Sequence, residues 1–212
     1  PMHKKLVLSA MDYIRKIERM KFRDIVVSLK ASNVFDTVEA YRDIAGRCEY
    51  PLHLGVTATG LPLSGVVKSS IALGSLLKEG IGDTIRISLT QPPEEEIKIG
   101  RIILQSLGLR HFGPEVVSCP TCGRCEVDLI GMVAQLENKL HALGGMKGEK
   151  RPLKLAVMGC VVNGPGEAAE ADLGVAFGSG QGLLFKKGKA LRKVRVLGAI
   201  QELLKEVRGI YV

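Results

Sequence analysis

Five cysteines stand in the 212-residue chain, and three of them, Cys119, Cys122 and Cys125, form a C-x2-C-x2-C run. Cys160 lies in a Gly-rich stretch, Gly159-Cys-Val-Val-Asn-Gly-Pro-Gly-Glu167. There Gly164 and Gly166 let backbone N–H groups approach a bound group, and Pro165 stiffens the turn. Thiolates at this spacing in a tight turn face one metal centre. Four thiolates, Cys125 included, would close a tetrahedral zinc site or hold an ordinary electron-transfer cluster. Three thiolates with the Glu167 carboxylate would instead leave one iron on a hard, displaceable oxygen, a place for substrate. Cys48 stands apart. An odd, clustered cysteine count argues against a disulfide scaffold and for a reducing compartment. The start, Pro1 to Ala10, has Lys4 and Lys5 but no apolar core or cleavage site, so it is not read as a signal peptide.

A second set of polar residues follows hydrophobic runs in the first half. Lys30 and Ser32 come after Asp24–Leu29, Thr57 comes after Leu52–Val56, and Arg86 and Ser88 lie within Thr84–Leu89. Residues two apart on a strand share a side, so Arg86 and Ser88 point together. Lys30 and Arg86 suit a phosphate or carboxylate, which Arg grips bidentately. Equally, they suit internal salt bridges to Asp24, Asp83 or Glu115, because an inward Arg needs an anionic partner.

The elements that must position these groups alternate. Strands are expected at 24–29, 52–56, 84–89 and 115–118, with helices at about 8–20, 34–47, 64–79 and 93–107. That order implies about four parallel βα units, whose strand ends form one ligand-binding face. The second half reads as a helix near 128–143, a Gly- and Lys-rich linker at 144–152, and a strand at 153–158. Two strands near 173–177 and 183–187 and a helix at 196–207 follow. A boundary is placed at 118, giving domains 1–118 and 119–212.

Composition narrows the function classes. No apolar run approaches the roughly 20 residues of a membrane helix. An aromatic content of 4% argues against stacking of single-stranded bases. The net charge of +8 has one dense patch, Lys186, Lys187, Lys189, Arg192, Lys193 and Arg195. This run is either a solvated face or a surface for an acidic protein, a phosphorylated ligand or nucleic acid.

Several motifs carry a resemblance. Ser-Cys-Pro-Thr-Cys at 118–122, Gly-Cys-Val-Val-Asn-Gly-Pro-Gly-Glu at 159–167 and Pro-Leu-His-Leu-Gly at 51–55 resemble the bacterial 4-hydroxy-3-methylbut-2-enyl diphosphate synthase family. Val-Ser-Leu-Lys-Ala-Ser at 27–32 and Glu-Gly-Ile-Gly-Asp-Thr-Ile-Arg-Ile-Ser-Leu at 79–89 are similar to the same family. The resemblance implies an α/β chain, a partial TIM-like barrel followed by a small α/β iron–sulfur domain. It implies a cytoplasmic enzyme of the non-mevalonate pathway that reductively opens 2-C-methyl-D-erythritol 2,4-cyclodiphosphate to 4-hydroxy-3-methylbut-2-enyl diphosphate. It further implies a 4Fe–4S cluster on Cys119, Cys122, Cys160 and Glu167, with Cys125 outside the ligand set. Lys30, Arg86 and Ser88 would contact the substrate diphosphate, and Asn163 and Glu167 would serve at the cluster-bound substrate. Reduced ferredoxin or flavodoxin would donate electrons; on its charge alone, the basic run at 186–195 is a candidate surface for such an acidic carrier. A homodimer is implied, each barrel capped by its partner's cluster domain.

Two departures from the family pattern bear on activity. Ala58 stands where a Glu is expected as an acid/base group, and Leu63 where many members have Arg. A complete barrel also needs eight strands and about 250 residues, whereas about four strands precede the cluster motifs. Four βα units alone leave two sheet edges unpaired and an apolar interior exposed. The chain is therefore expected to pair with a copy of itself or with a partner supplying the other barrel half. A non-catalytic iron–sulfur or electron-transfer module is the competing expectation, and a structural zinc module the third.

Overall fold

The computed structural model describes residues 1–142, 152–162, 166 and 168–211; Asn163 and Glu167 lie outside them. The chain forms two compact units, Pro1–His111 and Phe112–Val212.

In the first unit, helix α1 (Met2–Arg19) precedes α2 (Val34–Ala45), β1 (His53–Leu54), α3 (Pro62–Lys78), β2 (Thr84–Ile85) and α4 (Pro93–Ser106). The helix starts are chemically marked. Asn33 caps α2 by accepting the Asp36 N–H at 3.0 Å. Prolines open α3 and α4, where the missing N–H costs nothing. Glu94, Glu95 and Glu96 complement the α4 dipole. The three strand segments run parallel: Val27 bridges Leu52, and β1 pairs with β2. Thr57 N–H to Ala31 O at 3.1 Å and Arg86 N–H to Leu54 O at 2.9 Å continue the pairing.

Alternation sorts these segments into two faces. Val27, Leu29, Leu52, Leu54 and Ile87 are buried in a core completed by Tyr41, Ile44, Leu73 and Leu76 of the helices. The opposite face holds Val26, Ser28, Lys30, His53, Thr84 and Arg86, and is polar apart from Val26. The expected exposed apolar interior is thus corrected: where an aliphatic lining was expected, five polar side chains, Ser28, Lys30, His53, Thr84 and Arg86, stand in its place.

Tyr41, fully buried, ties this sheet together. Its hydroxyl accepts the Leu29 N–H at 3.0 Å and donates to the His53 carbonyl at 2.5 Å. Burial pushes its ionisation up. Replacing Tyr41 with Phe strands the buried Leu29 N–H. The expected loss is about 1–3 kcal/mol in denaturant unfolding, without a change in helix content by circular dichroism.

In the second unit, β3 (Glu115–Ser118), α5 (Leu129–Ala142), β4 (Lys154–Met158), β5 (Leu173–Gly178), β6 (Gln181–Lys186), β7 (Lys189–Arg195) and α6 (Ala199–Tyr211) follow in order. The five strands form one sheet in that sequence, β3, β4 and β5 parallel and β6 and β7 antiparallel. Leu155, Val157, Leu173, Val175 and Phe177 pack beneath α5 and α6 against Leu136, Ile200 and Leu203. Ala156, Met158, Ala176 and Phe185 form a smaller cluster with Ala168 and Ala171 on the other side.

The strand at 115–118 continues the βα rhythm of the first half, but it pairs residue for residue with β4, and Val116 packs into the second unit's core. The first unit therefore contributes three strand segments, not four. Strand β7 was not foreseen. Lys187 and Gly188, at φ 48° and 73°, make the two-residue turn that returns the chain as β7. Four of the run's six cations, Lys189, Arg192, Lys193 and Arg195, lie on this edge strand, which is exposed at every position but Val194. Lysines on an edge discourage pairing with another sheet.

Candidate functional site

The sheet of the second unit brings the cysteine segments to one end. Ser118 is paired with Val157 on the adjacent parallel strand, so Cys119 and Cys160 both follow the carboxyl ends of neighbouring strands. Cys119 is half-buried, Cys122 exposed and Cys160 buried, and all five cysteines are free thiols. The Gly159 N–H donates to Cys119 Sγ at 3.3 Å, and the Gly159 carbonyl accepts from Glu126 N–H at 3.0 Å. These two bonds lace the C-x2-C-x2-C turn to the Cys160 loop. The Cys122 thiol is lowered, chiefly by the backbone N–H of Arg124, which favours the thiolate a metal needs.

Cys125 is occupied differently. Its S–H donates to the Val127 carbonyl at 3.2 Å. A Cβ at position 159 would sit 2.5 Å from Cys125 Sγ, so glycine there makes room for that sulfur. Among the described residues no three Cys, His, Asp or Glu side chains converge on one point. Glu167, the expected fourth donor, and Asn163 lie outside the described residues. The donor chemistry nonetheless suits a thiolate-bound cluster: free thiols at adjacent strand ends, with a backbone N–H on one sulfur. Cys48 packs against the first unit's core and takes no part.

In the first unit, Lys30, His53 and Arg86 share the open face. Gly55 carries the Lys30 stem: a Cβ there would lie 3.4 Å from Lys30 Cδ and 3.0 Å from the Arg86 carbonyl. Thr37 holds the loop after Lys30, its hydroxyl donating to Asn33 O at 2.9 Å and its Oγ1 accepting the Ala31 N–H at 3.2 Å. Burial, then Arg86, lowers the Lys30 ammonium. Burial, then Lys30 and Arg86, lowers the His53 imidazolium. Among the described residues no carboxylate pairs with Lys30 or Arg86. Within the first unit Asp83 accepts the Leu52 N–H at 2.7 Å instead, and Asp24 forms no ion pair with the two cations. Arg86 is exposed rather than turned inward to a carboxylate. Ser88 is half-buried, its carbonyl held by the buried Thr59 hydroxyl. Ala58 is exposed in a left-handed conformation, φ 52°.

His53 is the member that sequence reasoning missed. The available signal was its position two residues before Gly55, on the same strand face as the cations on either side. The basic strand β7 lies at the sheet edge opposite β3. Arg192 there is already paired, with Glu202 at 2.9 Å and Glu206 at 2.6 Å. No described helix is long and apolar enough to cross a membrane.

Comparison with known proteins agrees with both halves. A family model described as the GcpE TIM-barrel domain matches residues 1–101, and one described as the GcpE protein C-terminal domain matches residues 115–209. Similar curated proteins include the "4-hydroxy-3-methylbut-2-en-1-yl diphosphate synthase (flavodoxin)" of Clostridium perfringens, 49% identical over 97% of this chain and 57% of its own length. The protein of the same name from Fusobacterium nucleatum is 54% identical over 95% of this chain and 55% of its own. That of Thermodesulfovibrio yellowstonii is 51% identical over 98% and 58%. The chain thus spans little more than half the length of these relatives. With both GcpE domain types matched in order along its length, the chain belongs to the 4-hydroxy-3-methylbut-2-en-1-yl diphosphate synthase (GcpE) family, of which it carries the C-terminal part.

Proposed function

We propose that this chain carries the diphosphate-gripping and cluster-binding parts of an enzyme that reductively opens 2-C-methyl-D-erythritol 2,4-cyclodiphosphate to 4-hydroxy-3-methylbut-2-enyl diphosphate. The observation that carries the reading is the pair of cations, Lys30 and Arg86, left without a carboxylate on an open polar face, in a chain that also sets cysteines at adjacent strand ends. Cys119, Cys122, Cys160 and Glu167 would hold a 4Fe–4S cluster, which supplies electrons and a Lewis-acidic iron for breaking the C–O bond. The chain's own residues do the rest. Arg86 grips the diphosphate and Lys30 neutralises it, orienting the ring for reaction. Ser88 adds a hydroxyl beside Arg86, and Asn163 serves near the reacting end. The Gly159 N–H donates to Cys119 Sγ and so fixes that sulfur after its strand end.

The first unit is read as a partial TIM-like barrel and residues from the cysteine turn onward as the iron–sulfur domain. Completing the site then takes a further barrel half, from a homodimer or a partner chain. The electron donor is flavodoxin or ferredoxin, the first being the carrier in the relatives' printed name. A cytoplasmic setting follows from thiols that must stay reduced. A non-catalytic iron–sulfur module is the second reading, favoured by Ala58 standing where an acid/base carboxylate is expected.

Anaerobic reconstitution with iron and sulfide tests the proposal. The expected product is brown, with broad visible absorption, and reduces the cyclodiphosphate only when the missing barrel half is supplied. A brown protein inert even with that half favours the electron-transfer module. A colourless protein with stoichiometric zinc overturns both.

A further inference from the structure

His53 sits between the two cations, yet nothing in the proposed chemistry uses it. It occupies β1, the middle of the three parallel segments, with Lys30 beyond the segment on one side and Arg86 beyond β2 on the other. Its ring is fixed: Nδ1 lies 2.8 Å from Thr84 Oγ1. Its main chain is fixed as well, the carbonyl accepting from Ser28 Oγ at 3.1 Å and from the Tyr41 hydroxyl. Among the described residues Nε2 has no hydrogen-bond partner, and the ring is half-buried on the open face. The charged groups that reach it are Lys30 and Arg86, both positive. Asp83, beside Thr84, spends its carboxylate on the Leu52 N–H.

We propose that His53 is a third contact to the anion held by Lys30 and Arg86, donating through Nε2 and taking up one proton from solvent as the anion binds. The inference rests on the diphosphate reading and adds a residue and a pH dependence to it. The sign follows from linkage. In the free chain, burial and two neighbouring cations keep the imidazole neutral below its ordinary range. An anion between the three groups cancels the cationic repulsion and offers an acceptor, raising the imidazole's affinity for a proton. The His53 contribution to binding is therefore fully present at low pH and fades as pH rises through the raised value.

Inorganic pyrophosphate, titrated into the full chain, is the probe. Histidine ring proton resonances followed against pH, with His53 assigned by its loss in His53→Gln, are expected to show the His53 midpoint moving up by about one unit or more when pyrophosphate is bound. His53→Gln is expected to weaken pyrophosphate about tenfold at pH 6 and about twofold at pH 8. Calorimetry in two buffers of different ionisation heat reads the same proton uptake, lost in the variant. Binding that depends on Lys30 and Arg86 while the His53 midpoint stays still overturns the inference and leaves the diphosphate site standing. Binding indifferent to Lys30→Ala and Arg86→Ala overturns both.

Discussion

Replacing Cys160 with Ser is expected to reduce reconstituted iron and sulfide to background, while Cys125→Ser retains a brown, fully loaded chain. The contrast matters because spacing alone gives Cys125 as good a claim as Cys122. The proposed assignment rests on what the other sulfurs already do and on the lowered Cys122 thiol. Cys125 donates to the Val127 carbonyl and fills the space that Gly159 leaves open. Cys119 accepts a backbone N–H from Gly159, and Cys160 follows the end of the neighbouring strand. A serine hydroxyl keeps the bond to Val127, so Cys125→Ser preserves the turn. At position 160 serine is nearly isosteric, but its hydroxyl does not ionise at neutral pH and is a poor match for iron in a thiolate set. Because Cys160 is only 5% exposed, far-ultraviolet dichroism and a thermal melt of each variant separate cluster loss from unfolding. A colourless Cys125→Ser beside a brown Cys119→Ser would reverse the ligand assignment.

Arg86→Ala is expected to lower pyrophosphate affinity by roughly 10- to 100-fold, the value of about 1.5–3 kcal/mol for hydrogen bonds to a charged group. Its guanidinium is exposed and carries no ion pair to a carboxylate among the described residues. Its removal should therefore shift folding stability by no more than about 0.5 kcal/mol. Arg86→Lys should recover only part of the affinity, because an ammonium cannot reproduce the two-pronged grip. Raising salt should weaken wild type more than the variant, since the lost contact is ionic. Equal affinity in Arg86→Ala and wild type would remove the anion site, whatever the cysteines hold.

Much of this was legible in the sequence for a definite reason. Helices at 34–47, 64–79 and 93–107 were legible from apolar spacing, and the structure has α2, α3 and α4 there, α3 starting two residues earlier, at Pro62. That no carboxylate among the described residues pairs with Lys30 or Arg86 fits one of two open readings, and it takes the fold to show Asp83 committed elsewhere. Strand 115–118 was misgrouped because local rhythm says nothing about which sheet accepts a strand. Its four pairs with β4 are contacts between residues nearly forty apart in sequence. Strand β7 hid because an exposed edge carries no burial alternation, leaving the Lys187-Gly188 turn as its one local mark. His53 was overlooked because a lone histidine has no motif; its neighbours come from two other strands.

The polar face of the first unit has a consequence for how copies of this chain meet. Two such faces brought together would oppose Lys30 and Arg86 with Lys30 and Arg86, and Coulomb repulsion at close range outweighs the little apolar area gained. A polyanion between them removes the penalty, and whatever binds the joined form alone shifts that equilibrium by mass action. If the proposed anion site holds, phosphate-bearing solutes would act as mortar for this surface, tying the chain's self-association to their concentration as well as to its own.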